Sequence, residues 1–138
     1  MFLDTAFGRN LDIVHRTMDV NMMRQSVTAD NIANADTPNF KRTEINFETE
    51  LRDALESRDP NPFPAALTDE EHIPFHREVN YQTVTPRRVT DFWTETQNNG
   101  NNVDIEQETM NLVNSQLMYS LMTNSVSSQF RRLNLVMQ

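Results

Sequence analysis

Two long stretches at the ends of the chain carry apolar residues at helical spacing. The first runs from about Asp4 to Asn34, contains no proline, and has Gly8 as its only glycine. At about 100° per residue, its apolar side chains form two stripes. The first stripe comprises Leu11, Val14, Met18, Met22, Ala29 and Ile32, and the second comprises Ile13, Val20 and Val27. Since a surface helix of a simple globule has one apolar face, this pattern predicts a helix that packs on two sides.

The second stretch, from about Val103 to Met137, repeats this arrangement. One stripe recurs at intervals of seven residues and comprises Ile105, Leu112, Tyr119, Val126 and Leu133, with Phe130 and Met137 beside it. The opposite stripe comprises Val103, Met110, Val113, Leu117 and Leu121. A sustained seven-residue interval is typical of a left-handed supercoiled seam.

Either helix alone is compatible with an ordinary core, but the two together indicate helices that also contact other subunits. Helices of about 30 residues reach ~45 Å, and pairing them buries one stripe on each while the second stripe stays exposed. Exposed apolar stripes mark protein–protein contacts. The sequence therefore predicts a mainly α fold, in which the terminal helices pair as an elongated coiled-coil-like hairpin and pack again against neighbouring subunits.

The middle of the chain differs in composition, because residues 37–102 hold all six prolines. We expect a division into an N-terminal helix (1–36), a small irregular central region (37–102) and a C-terminal helix (103–138). Within the centre, apolar spacing predicts a short helix from about Phe47 to Ser57. Alternation through Val79, Tyr81 and Thr83 towards Val89 predicts one or two short strands, and residues 98–102 (N-N-G-N-N) predict a turn.

Composition excludes several functional classes. The 138 residues include 20 Asp and Glu against 12 Lys and Arg, for a net charge of −8, and they include no cysteine and two glycines. Disulfides, thiol nucleophiles and Cys-based zinc sites are therefore impossible, and no phosphate-cradling glycine loop can be written. The acidic balance disfavours nucleic acid. No apolar run approaches the ~20 residues of a membrane span, and the N-terminus lacks the features of a cleavable secretory signal.

One cluster superficially suggests a metal site. His72 and His76 form an H-x-x-x-H pattern beside Glu70 and Glu71. Helical ligation at that spacing would require a helix through Pro74, which proline opposes. No motif orders a Ser, His and Asp into a catalytic triad. We therefore expect no catalytic, cofactor-binding or metal-binding residues.

The densest local signal follows the first helix. Asn34 or Ala35 should end the helix, and the turn motif Asp36, Thr37, Pro38, Asn39 and Phe40 should follow, since proline cannot continue a helix and Asn tolerates positive φ. Asn34 also lies seven residues after Val27, and a lone Asn in a seam can fix register.

This segment resembles the N-terminal signature of bacterial flagellar axial proteins, the family of rod, hook and hook-associated proteins. Residues 31–38 read N-I-A-N-A-D-T-P, and the family has N-I-A-N followed by T-P-G-Y or T-x-G-Y. The usual Gly-Tyr is Asn39-Phe40 here, which keeps the turn and the ring but loses the tyrosine hydroxyl. Residues 45–51 (I-N-F-E-T-E-L) are similar to the I-D-F-x-x-E-L of proximal rod subunits of the FlgB type.

The far end of the chain carries a second resemblance. Residues 100–108 (G-N-N-V-D-I-E-Q-E) and 114–119 (N-S-Q-L-M-Y) are similar to the family's G-N-x-V-D-x-x-x-E and N-x-L-x-Y elements. The resemblance implies a structural, non-enzymatic subunit of the periplasmic proximal rod, which packs helically around an export channel. It implies as partners other copies of the chain, other rod proteins, the inner-membrane ring with its adaptor subunit, and the flagellar type III export apparatus.

The predicted assembly interface combines the apolar stripes with two asparagines. It comprises Leu11, Val14, Met18, Met22, Ile13, Val20, Val27, Asn31, Asn34, Ile105, Leu112, Leu117, Tyr119, Leu121, Val126, Phe130 and Leu133. Two alternatives stay open at this point. One is a helical adaptor or needle-like component of another type III secretion assembly, and the other is a small enzyme that uses the His72/His76 region.

Overall fold

The computed structural model describes residues 5–58, 68–69, 71–72 and 78–137. In chain order its elements are helix α1 (Ala6–Ala33), strand β1 (Thr43–Asn46), helix α2 (Glu48–Glu56), a 3-10 turn (Tyr81–Thr83), strand β2 (Arg87–Thr90) and helix α3 (Ile105–Val136). The described residues divide into two compact units. One contains the residues up to Ile45 and those from Arg88 onward, and the other runs from Asn46 to Arg87.

Both long helices begin at side-chain caps. The Thr5 hydroxyl accepts a hydrogen bond from the Gly8 amide at 3.0 Å, and the Asp104 carboxylate accepts from the amides of Glu106 and Gln107 at 2.9 and 3.2 Å. These oxygens satisfy amides that have no partner within the helix. The second helix therefore begins at Ile105, two residues later than predicted, and Val103 is buried outside it.

The first unit is built on an antiparallel pairing of α1 and α3, which are in contact along their length. Phe7 and Phe130 meet edge-to-face with ring centroids 6.5 Å apart, and Asn31 bonds Glu108 at the other end. The less exposed positions of α3 alternate at intervals of four and three, at Glu108, Leu112, Ser115, Tyr119, Met122, Val126, Gln129 and Leu133. This is the spacing of a coiled-coil seam, so the predicted helical hairpin is confirmed.

A small sheet completes this unit. The Asp91 amide donates to the Arg42 carbonyl at 2.9 Å, and the hydroxyls of Thr43 and Thr90 lie 3.3 Å apart. This register is that of an antiparallel pair, in which β1 and β2 form a two-stranded sheet.

The second unit contains the predicted short helix, but it has a 3-10 turn where a strand was predicted. Helix α2 is confirmed at Glu48–Glu56. The alternation at Val79, Tyr81 and Thr83 wrongly predicted a strand, because the Asn80 side chain accepts from the Gln82 amide at 3.0 Å and starts a 3-10 turn there. Such a local side-chain bond competes with the extended conformation. Val89 does lie in a strand, β2.

We predict that the hairpin seam carries most of the stability of the first unit. Val27 is 4% exposed, whereas Met22, on the same helix, is 57% exposed. Val27→Ala should lower the free energy of unfolding by about 2 kcal/mol, because it removes buried methyl groups and leaves a cavity. Met22→Ala should change it by less than about 0.5 kcal/mol. Urea unfolding followed by circular dichroism measures both, and equal effects would contradict this account of the seam.

Candidate assembly site

The turn after α1 ends the helix as its sequence predicts. The Asn34 amide donates to the carbonyls of Asp30 and Asn31 at 3.2 Å, and the Ala35 amide donates to the Ile32 carbonyl at 3.2 Å. The Asn34 side chain donates to the Asp30 carbonyl at 2.8 Å, so within this chain it caps its own helix and does not bridge to α3. Asn39 adopts a φ of 59°, and its amide donates to the Asn99 carbonyl at 3.0 Å. The predicted left-handed position is therefore confirmed.

Asn101 binds the open end of α1. It is fully buried, and its side-chain amide donates to the carbonyls of Asn34, Ala35 and Thr37 at 2.9, 2.8 and 2.9 Å. Carbonyls at a helix C-terminus have no partner within the helix. One asparagine from the turn before α3 therefore binds three carbonyls at the end of α1 and in its turn, in addition to the Thr37 and Phe40 amides that donate to the carbonyls of Asn34 and Thr37.

Gly100 makes this approach possible. Its φ is +78°, and a Cβ at this position would lie 2.8 Å from the Asn39 Oδ1 atom. Glycine adopts positive φ without steric cost, and its lack of a side chain lets the two turns lie against each other. The N-N-G-N-N turn is therefore required by its contact with the motif that follows α1.

Asn102 holds the next part of the chain. Its Oδ1 atom accepts from the Arg42 amide at 2.6 Å, and its side-chain amide donates to the Asp91 carbonyl at 2.8 Å and to the Thr94 hydroxyl at 3.0 Å. A single buried asparagine thus fixes both the start of β1 and the segment that follows β2.

A buried carboxylate joins the two helices directly. Glu108 is 1% exposed. Its Oε2 atom accepts from the Asn31 side-chain amide at 3.0 Å, and its Oε1 atom accepts from the Arg42 Nε at 2.6 Å. Asn31 also pairs with the Thr43 backbone as a neighbouring strand would, since its amide donates to the Thr43 carbonyl at 2.9 Å and its Oδ1 accepts from the Thr43 amide at 3.1 Å.

The charges in this cluster compensate one another. Desolvation by burial is the largest influence on Arg42 and acts to lower its pKa, but the hydrogen bond and the charge of Glu108, together with Glu44, raise that pKa above its usual value. Arg42 therefore stays charged beside Glu108. A buried charge is tolerated when it is paired and hydrogen-bonded, and both conditions hold here.

We call this cluster the polar junction: Asn31, Arg42, Asn101, Asn102 and Glu108. Only Asn31 belongs to the predicted assembly set. The other four were missed because the apolar periodicity selected hydrophobic stripes and gave no weight to polar residues at core positions. A signal did exist, because Glu108 lies four residues before Leu112 and so occupies a seam position of the heptad pattern.

The other predicted interface residues separate by exposure. Val20, Val27 and Asn31 are buried. Leu11, Ile13, Val14, Met18, Asn34, Leu112, Tyr119, Val126 and Leu133 are half-buried. Met22, Ile105, Leu117, Leu121 and Phe130 are exposed. In the turn motif, Phe40 is half-buried, whereas Asp36, Thr37, Pro38 and Asn39 are exposed.

The histidine cluster offers no assembled metal site where the structure describes it. His72 accepts a hydrogen bond from the Thr68 amide at 3.3 Å through its Nδ1 atom, whereas Glu70, Pro74 and His76 lie outside the described residues. In the described ranges, no three His, Asp or Glu side chains are grouped to hold a metal ion. Among those same residues, no helix is both long enough and apolar enough to cross a membrane.

We predict that the Glu108 carboxylate is essential to the junction. Glu108→Gln should lower the free energy of unfolding by about 3 kcal/mol, because the amide nitrogen replaces one of the two acceptor oxygens that bind Asn31 and Arg42, and Arg42 then keeps, among the described residues, only Glu44 as a charged partner. Glu106→Gln is the matched control, since it removes the same charge from the first turn of α3 at an exposed position and should cost no more than about 0.5 kcal/mol. Chemical denaturation measures both, and equal costs would refute the assignment.

Known proteins are similar to this chain in sequence. A family model described as "Flagella basal body rod protein" matches residues 17–41, the second half of α1 and its turn motif. Over 132 residues the chain is 45% identical to the flagellar basal body rod protein FlgB of Borreliella burgdorferi, which covers 96% of this chain and 98% of that protein.

More distant relatives agree. The FlgB of Bacillus subtilis is 34% identical over 116 residues, covering 83% of this chain and 82% of that protein. The FlgB of Escherichia coli is 29% identical over 123 residues, covering 88% and 87%. These likenesses span both terminal helices and confirm the prediction of a structural rod subunit that is not an enzyme. The chain belongs to the FlgB family of flagellar basal body rod proteins.

Proposed function

We propose that this chain is a subunit of the proximal rod, where copies of it pack helically with one another and with other rod proteins to form a drive shaft around a channel. The observation that supports this most is the outer face of α3. Met110, Val113, Leu117 and Leu121 lie on the side opposite the hairpin seam and are between 48% and 66% exposed. An apolar stripe of this length along one helix is typical of a protein–protein contact.

The inner seam favours the same interpretation. It contains polar residues at core positions, among them Glu108, Ser115 and Gln129, so burial within the hairpin supplies less apolar stabilisation than its length allows. The outer stripe can add apolar burial once neighbours cover it. A subunit of this kind gains a large part of its stability from assembly.

Rigidity is the mechanical requirement of a drive shaft. The polar junction ties the end of α1 to the start of α3 through bonds from Asn31, Asn101 and Glu108. Because these bonds are directional, sliding one helix along the other would break them. A repeated contact between different surfaces of identical subunits forms an open helix when the rotation does not close. Torque applied to such a helical assembly is carried by the paired α-helices of each subunit, which resist sliding past each other.

We also propose that the subunit leaves the cell through the flagellar type III export apparatus and meets the adaptor subunit of the inner-membrane ring. The resemblance to axial proteins supports both steps. The chain contains no cysteine, so no disulfide has to be opened before it is threaded through a narrow channel. It regains its fold where neighbours are present.

We predict that a charge on the outer stripe blocks assembly and leaves the fold intact. Leu117 is 58% exposed, so Leu117→Asp should keep the helical circular dichroism and thermal unfolding of the wild type. Incorporation into purified basal bodies and motility should be lost, because assembly would bury an unpaired charge. Gln116→Asp is the matched control, since Gln116 is exposed and lies about 100° around the helix from Leu117. Normal swimming of the Leu117→Asp strain would contradict the interface.

We predict that export depends on the flagellar apparatus alone. In cells without a functional flagellar export gate, the chain should stay in the cytoplasmic fraction, whereas a block of the general secretory pathway should leave its export unchanged. Immunoblots of periplasmic and cytoplasmic fractions measure this. Periplasmic chain in the gate mutant would overturn the proposed route.

A further inference from the structure

The turn before α3 contains the only Asn-Gly pair of the chain, Asn99 and Gly100. An asparagine that precedes a glycine is especially prone to spontaneous deamidation, in which the main-chain nitrogen of the second residue attacks the side-chain amide of the first. Glycine favours this attack, because it has no side chain to hinder the approach and its backbone is conformationally free. Asn99 is exposed to solvent, so water reaches the pair.

The fold requires both members of this pair. The Asn99 Oδ1 atom accepts from the Asn101 amide at 3.0 Å, and the Asn99 carbonyl accepts from the Asn39 amide at 3.0 Å. Gly100 adopts a φ of +78°, and a Cβ there would lie 2.8 Å from the Asn39 Oδ1 atom. The turn therefore needs a side-chain acceptor at position 99 and a glycine at position 100, and the two needs together create a chemically labile peptide.

The same hydrogen bonds restrain the groups that would react. Ring closure requires the Gly100 nitrogen to lose its proton and to reach the Cγ atom of Asn99. In the fold this nitrogen donates to the Gln97 carbonyl at 3.1 Å, and the Asn99 carboxamide is held through its Oδ1 atom. An intramolecular attack proceeds only when the reacting atoms can reach a near-attack geometry. The folded turn therefore opposes the reaction that its sequence favours.

We propose that Asn99 is a deamidation site at which folding of the turn suppresses a reaction that proceeds in the unfolded chain. The Gly100 nitrogen bonds to the Asn99 Cγ atom, and the side-chain nitrogen leaves as ammonia with the proton that Gly100 gives up. The product is a five-membered succinimide ring. Water then adds to either ring carbonyl and opens the ring to aspartate or to isoaspartate. The net change is the loss of ammonia and the gain of water, and no oxidant or reductant takes part.

The two products differ in their effect on the turn. Aspartate at position 99 keeps an oxygen where Oδ1 lies, so the hydrogen bond from the Asn101 amide is retained. Isoaspartate adds one carbon atom to the main chain before Gly100, which displaces Gly100 from its close approach to Asn39. Chains with isoaspartate therefore cannot rebuild the turn, and the modification marks chains that stayed unfolded too long. Because the reaction belongs to the free chain, it goes beyond the rod function and does not depend on it.

Peptide mass spectrometry of the purified chain measures the reaction. The chain is incubated in mildly alkaline buffer with and without guanidinium chloride, and deamidation is followed at each asparagine. We expect Asn99 to react at least about tenfold more slowly in the folded chain, because the reaction then waits for local opening of the turn. Asn98 is the internal control, since it is exposed in the same turn but precedes an asparagine, and it should react slowly in both states.

Two results would overturn the proposal. One is an equal rate at Asn99 in the folded and the unfolded chain, which would show that the hydrogen bonds of the turn give no protection. The other is an unfolded chain in which Asn99 reacts no faster than Asn98, which would show that the pair is not labile.

Substitution of Gly100 tests the chemistry without relying on folding. In guanidinium chloride, Gly100→Ala should slow deamidation at Asn99 about tenfold, because a side chain hinders the attacking nitrogen and restricts its backbone. Gly8→Ala is the matched control, since Gly8 is the other glycine of the chain and lies far from the pair in sequence, and it should leave the rate unchanged. An unchanged rate in Gly100→Ala would refute the attack by the Gly100 nitrogen.

The fate of the two products tests the effect on the turn. Chain that is partly deamidated in guanidinium chloride is returned to buffer, and the fraction that resists brief proteolysis is collected. An isoaspartyl methyltransferase assay should find isoaspartate depleted from this fraction, whereas mass spectrometry should find aspartate at position 99 retained. Asn99→Asp should accordingly unfold at the same denaturant concentration as the wild type. Isoaspartate at the same level in the resistant fraction and in the starting material would contradict the proposed effect.

Discussion

The buried hydrogen bonds of Glu108 are the constraint on which the rest of the first unit depends. One carboxylate binds Asn31 of α1 and Arg42 at the entry to β1, so helix register and strand position are set together. Burying an ion pair contributes little net stability, but it penalises every alternative in which one partner is left unpaired. The hairpin therefore has one register, although apolar heptads alone would tolerate a shift by one repeat.

The same junction brings together two family motifs that are far apart in the sequence. Residues 31–38 and 100–108 are separated by more than 60 positions in the sequence, yet Asn101 binds the carbonyls that follow α1 and Gly100 packs against Asn39. The two motifs are therefore joined by hydrogen bonds and by close packing. A rod subunit with such a junction can carry apolar stripes on its outside for neighbours, because the register of its helices does not rely on those stripes.

The sequence predicted the elements whose signal is local and repeated. The heptad spacing of Leu112 and Tyr119 predicted the seam of α3, and Pro38 and Asn39 predicted the end of α1 and its left-handed turn. The strand expected at Tyr81 failed because alternation over a few residues is a weak signal, and the Asn80 side chain formed a turn in its place.

By itself, the sequence determined a helical hairpin with apolar residues on two faces, since periodicity fixes which side chains share a side of a helix. Only the tertiary structure decided which face lies inside and which polar residues hold it there. In the sequence, Glu108 cannot be told from any other acidic residue in the first turn of a helix. In the fold, its carboxylate accepts hydrogen bonds from Asn31 and Arg42. Likewise, the sequence places Trp93 in a polar loop, and only the fold shows that its ring is 95% exposed. Such properties arise between residues distant in sequence, and no local pattern encodes them.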